Sequence, residues 1–179
     1  MMRKLWMPVL ALAVAGPATG QQMSHDDHMN TTAGLNKVYG VVKDYITRAA
    51  EQMPEEHYAF KPTPEVRSFG QLVGHIANAN YMICSVATGE ENPHQQDAET
   101  LTSRAELVEA LKGSFTYCDD AYQMTGMKTM EPVQLFGQDH TRLSALEFNM
   151  GHDFEHYGNI VTYMRLKGLT PPSSQGSGG

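Results

Sequence analysis

Apolar residues recur at three- and four-residue spacing in four separate segments of the chain, which is the pattern of core-facing helices. Three predicted helices cover about residues 35–53, 69–87 and 103–124, and a fourth begins near Thr141 or Ser144 and runs to Lys167. Proline and glycine follow the ends of these segments, where helices commonly stop. The pattern therefore predicts a helical protein with short connections.

Local signals mark where two of these helices begin. Ser68 and Ser103 stand three residues before Gln71 and Glu106, respectively, which is the capping-box spacing at a helix N-terminus. The stretch between the last two helices is ambiguous, and residues 133–136 are predicted to form a short extended piece. A parallel sheet would need several strand signals that the sequence lacks. We therefore predict an all-α four-helix bundle.

The first twenty residues have the composition of a secretory signal peptide. Arg3 and Lys4 supply a positive start, and residues 5–15 are apolar but too short to span a bilayer. Residues 18–20 are small, which predicts cleavage after Gly20. An N-terminal membrane anchor is the alternative. The sequence thus predicts an exported protein, periplasmic or extracellular, without a stable membrane anchor.

Length and charge limit the organisation and the partners. The chain has 179 residues, enough for one domain with its own core. The predicted units are a signal peptide (1–20), a flexible tail (21–33), the bundle (34–172) and a flexible C-terminal tail (173–179). A net charge of −7 disfavours nucleic acid and anionic membranes as partners, because both bind basic surfaces. A small-molecule substrate fits better, and a homodimer is left open.

Cys84 and Cys118 are the two cysteines of the chain. In an oxidising compartment they could form one disulfide between neighbouring helices. The alternative is two buried, unpaired thiols that fill space as small apolar groups. The sequence contains no Cys-x-x-Cys pair, so a redox or thiolate-zinc motif is not supported.

Three histidines are the candidate metal ligands. His152 and His156 are four residues apart on the fourth helix, so both imidazoles share one face, about 6 Å apart along the axis. His75 lies at the edge of the apolar face of the second helix. If the bundle brings it opposite the pair, three neutral imidazoles form one side of a coordination sphere, with a position left for water or substrate. The alternative is a bundle with packed histidines and no metal.

Two segments carry motifs of a known family. The second helix and its proline-rich lead-in read PTPEVRSFGQLVGHIANANYMI, and the last helix reads GHDFEHYGNIVTYMRLKGLTPP. Together they resemble the DinB-like superfamily, also called DinB/YfiT-like metalloenzymes, over about residues 34–172. The resemblance implies a four-helix bundle whose histidine triad binds a divalent metal, often Zn or Ni. By position, the triad is His75, His152 and His156.

The resemblance leaves two classes of function open. Some family members use low-molecular-weight thiols, as in thiol-dependent S-transferases and maleylpyruvate isomerase. One hypothesis is a metal-dependent hydrolase or transferase that acts on a small molecule. The other is a non-catalytic, stress-associated module in which the ion cross-links the second and fourth helices. A fourth protein ligand would favour the structural role, and an open position would favour catalysis.

Other polar side chains are weaker candidates, and the sequence identifies no catalytic residue. Those that could orient a ligand or a bound water are Gln71, Asn78 and Asn149. Asp153 and Glu155 lie between the two histidines of the fourth helix, and Glu155 is expected to be solvated rather than a general base. His57 and His140 could supply a fourth ligand from connecting loops, but we expect both to be exposed.

Overall fold

The structure is a computed structural model that describes residues 25–176, with side chains from residue 32 onward. Its helices are α1 (His25–Gln52), α2 (Phe69–Thr88), α3 (Arg104–Tyr122) and α4 (Arg142–Leu166). They pack around one apolar core, and α2 contacts both α3 and α4. The predicted all-α four-helix bundle is confirmed. None of the described helices combines the length and the apolar character needed to cross a bilayer.

The predicted limits of α2 are confirmed. The Ser68 hydroxyl accepts a hydrogen bond from the Gln71 backbone amide, and the Gln71 side chain accepts one from the Ser68 amide. The helix ends at Gly89, whose φ of 78° lies in the left-handed region that glycine adopts without strain. These two signals fix the position of His75 along the helix.

The two ends of the bundle are longer than predicted. α1 begins at His25 rather than near Leu35, so part of the predicted N-terminal tail is helical. This polar stretch lacks apolar periodicity, and extending an existing helix needs no new nucleation. At the other end, Gln175 accepts a hydrogen bond from Arg48 at 2.6 Å, which places it against α1 although it lies in the predicted C-terminal tail. The predicted signal peptide lies outside the described residues.

A β-hairpin stands where one short extended piece was predicted. Strands β1 (Pro132–Leu135) and β2 (Gln138–Thr141) pair antiparallel, with Leu135 opposite Gln138. The two-residue turn contains Phe136 (φ 52°) and Gly137 (φ 74°), the two positive φ values of a type I′ turn. The second strand was missed because its sequence is polar and half-exposed. Leu135 is buried and anchors the hairpin on the bundle.

A disulfide joins α2 to α3. Cys84 and Cys118 are bonded, with their Cα atoms 5.4 Å apart. Both side chains are fully buried in the core. Of the two alternatives that the sequence left open, the structure shows the paired one.

Candidate metal centre

The three predicted histidines converge between α2 and α4. The Nε2 atom of His152 lies 3.3 Å from Nε2 of His75 and 3.0 Å from Nε2 of His156. One nitrogen from each ring falls within 4.8 Å of the others. The four-residue spacing on α4 brings two rings together, and the packing of α2 on α4 adds the third. The convergence expected from the sequence is therefore present.

Two of the separations between the nitrogens are close to those expected around a small divalent ion. In a tetrahedral site with Zn–N bonds of about 2.0–2.1 Å, two ligand nitrogens lie about 3.3–3.4 Å apart. The His75–His152 separation of 3.3 Å matches this, and the His152–His156 separation of 3.0 Å is slightly shorter. Three imidazole nitrogens are a donor set that suits Zn, Ni, Cu or Fe. The residues present thus fit the metal that the resemblance implies.

Glu99 holds His75 in the tautomer that metal binding requires. Its carboxylate oxygen lies 2.8 Å from Nδ1 of His75, and Arg67 donates to the same carboxylate at 2.9 Å. Burial alone would raise the pKa of Glu99, but the hydrogen bonds from Arg67 and His75 outweigh it and lower that pKa. Because an ionised carboxylate only accepts, Nδ1 of His75 carries the proton, and Nε2 keeps its lone pair for the centre.

Two features of α2 bring Glu99 to the centre. Asn78 donates to Asp97 at 2.6 Å and accepts from the Ala98 amide at 3.0 Å, so it fixes the turn that carries Glu99. Gly74 lets this turn approach closely, because a Cβ there would meet the Ala98 carbonyl oxygen at 2.4 Å. Asn78 therefore positions Glu99 in this structure, whereas the sequence suggested that it orients a ligand.

The two histidines of α4 have fewer partners. The side-chain amide of Asn159 lies 3.4 Å from Nδ1 of His156. An amide can present its oxygen as well as its nitrogen, so Asn159 can accept the proton on that Nδ1. Nδ1 of His152 is buried and has no hydrogen-bond partner among the described residues. The side-chain contacts that orient the centre thus come mainly from the α2 side.

Burial keeps the α4 imidazoles neutral. Burial first, and then the neighbouring His75, lowers the pKa of His152 to about 4. The pKa of His156 is also lowered to about 4, by burial first and then by His152. Neutral imidazoles at pH 7 have free lone pairs, so a metal would not have to displace protons from them.

Two cavities open beside the centre. One, of about 500 Å³, is lined by His75 and His152 together with apolar side chains and the amides of the loop before α3. The other, of about 760 Å³, is lined by His156 and by the charged groups of Arg67, Glu99 and Glu155. The centre therefore lies between an apolar cavity, the first, and a charged cavity, the second.

The structure places the remaining candidates away from the three imidazoles. Asn149 is wrong as an orienting group for the site, because it is buried in the core and bonded to Asn80 at 2.7 Å and Tyr122 at 2.9 Å. Gln71 is engaged in the cap of α2. His57 and His140 are not members of the cluster; they end a 3₁₀ turn and lie on β2, respectively. Glu155 is exposed, as predicted.

Asp153 differs most from the expectation for a residue beside the pair. Its side chain is fully buried, and neither carboxylate oxygen has a hydrogen-bond partner among the described residues. Burial raises its pKa well above the usual value. It faces the core rather than the centre, because adjacent residues on a helix point about 100° apart. We have no physical account of why a carboxyl group occupies this position.

Sequence reasoning missed Glu99 and its partner Arg67. Glu99 lies in a polar loop without periodicity, where every acidic residue looks alike. One indirect signal was available: an isolated glycine inside a helix, here Gly74, commonly has a packing reason. Such a glycine indicates that another segment of the chain approaches the helix closely. It does not indicate which side chain that segment brings to the site.

Comparison with known proteins identifies the family. Residues 41–160 match the DinB superfamily. The chain belongs to this family. This DinB protein is 26% identical over 129 residues to YjoA of Bacillus subtilis (strain 168), an uncharacterised protein; the match covers 68% of this chain and 80% of YjoA.

Solved structures share the fold. A DinB-like protein from Bacillus cereus ATCC 10987 has a TM-score of 0.70 at 20% identity, covering 78% of this chain and 95% of that one. The crystal structure of Bacillus subtilis YjoA gives 0.63 at 22% identity, covering 76% and 93%. A mycothiol-dependent maleylpyruvate isomerase gives 0.61 at 15% identity, covering 72% of this DinB protein and 60% of the isomerase. At these identities, the likeness shows the fold alone.

Proposed function

We propose that this DinB protein holds one divalent metal ion, Zn or Ni, with His75, His152 and His156. The protein uses this ion either to hydrolyse a small molecule or to transfer a group to one. The observation that carries the proposal is the convergence of three imidazoles beside a cavity. A divalent ion would supply Lewis-acid chemistry there, polarising a substrate oxygen or acidifying water.

The surrounding residues suit an open site. Among the described residues, the cluster contains three ligand side chains and no fourth His, Cys, Asp or Glu. Glu99 is occupied in orienting His75, and Arg67 holds Glu99. An open position facing a cavity favours catalysis over a purely structural ion. One solved neighbour with this fold is an isomerase that depends on mycothiol, which is compatible with transfer chemistry.

The alternative is a structural ion without catalysis. The three ligands come from both α2 and α4, so a bound ion would cross-link these helices and stabilise the native bundle. A fourth ligand supplied by the protein would favour this alternative.

Export of the chain is a separate part of the proposal. Its support is the composition of residues 1–20 and the disulfide between Cys84 and Cys118, since disulfides persist mainly in oxidising compartments. Sequencing the N-terminus of the mature protein tests it. A chain that begins at Gln21 is expected, and a retained Met1 would contradict signal cleavage.

Metal analysis of the purified protein tests the main proposal. The wild-type protein is expected to carry about one Zn or Ni per chain, and a His152→Ala/His156→Ala variant is expected to carry none, because one imidazole alone binds such ions weakly. A His57→Ala/His140→Ala variant is the matched control and should keep its metal. Equal metal content in the wild-type protein and the first variant would contradict the proposal.

A further inference from the structure

We propose that the apolar cavity binds an uncharged small molecule with a flat, apolar body, whose polar end reaches His75 and His152. This names a substrate class for the same centre and rests on the proposed function. The cavity of about 500 Å³ lies within the range that holds ligands of drug size. The two histidines lie at its wall, so an occupant would touch the metal centre directly.

The wall of this cavity is mostly hydrocarbon. Its apolar lining consists of Ala79, Met82, Ile83, Phe136 and Phe148. Two aromatic rings and a flexible thioether favour a flat or aromatic body, because rings pack well edge-to-face and methionine adapts its shape to the ligand. Half of the polar lining residues are amides, among them Asn92, Gln95 and Gln96, which can donate or accept at the polar edge of a ligand.

Charge argues against an anionic occupant. None of the described residues that line the apolar cavity is Lys or Arg. The carboxylate that lines it, Asp97, would repel an anion, and burying an unpaired charge against hydrocarbon is costly. The charged cavity on the other side contains Arg67, but Glu99 already pairs with it at 2.9 Å. Away from the metal position, the lining of the apolar cavity therefore favours uncharged groups.

Phe136 shows that this cavity is more than a packing gap. It occupies the first central position of a type I′ turn with φ of 52°, a conformation that is unusual for a bulky side chain. Asn before Gly is what such a turn favours, so folding alone does not explain a phenylalanine here. The strained position instead presents its ring, 64% exposed, at the cavity. Backbone strain of this kind tends to occur at binding sites.

Phe148 lies beside Phe136 in the lining of the apolar cavity. Its ring lies 5.4 Å from that of Phe136 in an edge-to-face arrangement, yet 43% of the residue stays exposed. Two exposed aromatic rings from different elements, the hairpin tip and α4, thus meet over the cavity that leads to His152. An apolar ligand would cover surface that both now leave in contact with solvent.

Binding of imidazole probes to the Co²⁺-loaded protein tests this inference. Imidazole, 4-phenylimidazole and 4-(imidazol-4-yl)benzoate are titrated while the visible absorption of Co²⁺ is followed. The phenyl ring is expected to tighten binding about tenfold or more over imidazole, through its burial in the cavity. In 4-(imidazol-4-yl)benzoate, the added carboxylate is expected to remove most of the gain in affinity that the phenyl ring provides.

Three variants test whether the gain in affinity from the phenyl ring comes from the apolar cavity. Phe148→Ala and Phe136→Asn should each reduce the phenyl gain several-fold and leave the affinity for imidazole unchanged. Because Asn-Gly suits the turn, Phe136→Asn should also keep or raise the unfolding temperature, which excludes misfolding as the cause. Phe154→Ala is the matched control: this phenylalanine is 37% exposed on the same helix, is outside the cavity lining, and should have no effect.

The outcomes separate the two proposals. A Co²⁺ spectrum that depends on the three histidines but shows no phenyl gain would overturn this inference and leave the proposed function standing. A carboxylate that improves binding, or a Phe154→Ala effect equal to that of Phe148→Ala, would also overturn it. If no Co²⁺ spectrum depends on the histidines, the proposed function fails and this inference fails with it.

Discussion

The three-histidine cluster is supported differently by its two helices. On the α2 side, His75 is held by Glu99, which is held in turn by Arg67 and by a turn fixed through Asn78. On the α4 side, His156 has an amide at 3.4 Å, and Nδ1 of His152 has no partner among the described residues. The difference follows from geometry, since a four-residue spacing orients two rings together, whereas a lone ring needs outside contacts.

Because of this asymmetry, mutations on the α2 side and mutations on the α4 side should have different effects. A change on the α2 side should disturb the orientation of one ligand and the turn that fixes it. A change on the α4 side that spares the two histidines should have little effect. Substitutions on each side of the cluster test that contrast.

Gly74→Ala should have the largest effect. Its Cβ would meet the Ala98 carbonyl oxygen at 2.4 Å, so the turn that carries Glu99 must move away. Overpacking of this kind costs about 1–3 kcal/mol of the free energy of unfolding, measurable by urea denaturation. Metal affinity should fall as well, because Glu99 moves with the turn.

Gly158→Ala is the matched control on α4. A Cβ there meets nothing within 4 Å, and the residue is exposed in the helix. Alanine should therefore stabilise the protein by about 0.5–1 kcal/mol and leave metal affinity unchanged. Equal destabilisation by the two substitutions would contradict the contrast between the helices.

Glu99→Gln should lower metal affinity by about 10–100-fold, the usual effect of losing a carboxylate behind a ligating histidine. The glutamine keeps the shape but removes the charge that holds the proton on Nδ1 of His75. Competition with a chelator of known affinity measures the change. An unaltered affinity would show that Glu99 does not orient this ligand.

The same contrast explains what sequence could predict. The helices, the caps of α2 and the histidine pair of α4 depend on local spacing, and the sequence predicted them. Glu99 reaches His75 through a loop whose path depends on Gly74 and Asn78, and no local pattern records such a contact. Asp153 shows the same limit, because its full burial contradicts the usual preference of a charged residue for solvent.

Acid should destabilise the metal-free protein through the α4 histidines. Their pKa is about 4 in the folded chain and 6.5 as the ordinary value, so the unfolded chain binds more protons between these limits. The stabilising contribution is complete above pH 6.5 and is lost as the pH falls toward 4. Allowing for partial exposure, we expect a loss of about 1–2 kcal/mol in urea denaturation.

The His152→Ala/His156→Ala variant provides the comparison for this pH profile. Its stability should change less than that of the metal-free wild-type protein between pH 6.5 and pH 4.5. Both proteins keep Glu99, so the titration of this group contributes to both profiles and does not account for a difference between them. If stability changes with pH in parallel in the two proteins, groups other than His152 and His156 cause the pH dependence.

Asn159→Ala should have the smallest effect. Its amide lies 3.4 Å from Nδ1 of His156 and the residue is exposed, so its removal should change metal affinity by less than about threefold. The chelator competition used for Glu99→Gln measures it. An effect as large as that of Glu99→Gln would remove the distinction between the two sides of the centre.

Anomalous diffraction from crystals of the purified protein, recorded at the Zn and Ni absorption edges, locates the ion relative to the three histidines. If these histidines bind the metal, one peak per chain is expected, about 2.0–2.1 Å from the Nε2 atoms of His75, His152 and His156. A chain that carries metal but shows its peak elsewhere, or bonded to the α4 pair without His75, would contradict the proposed site.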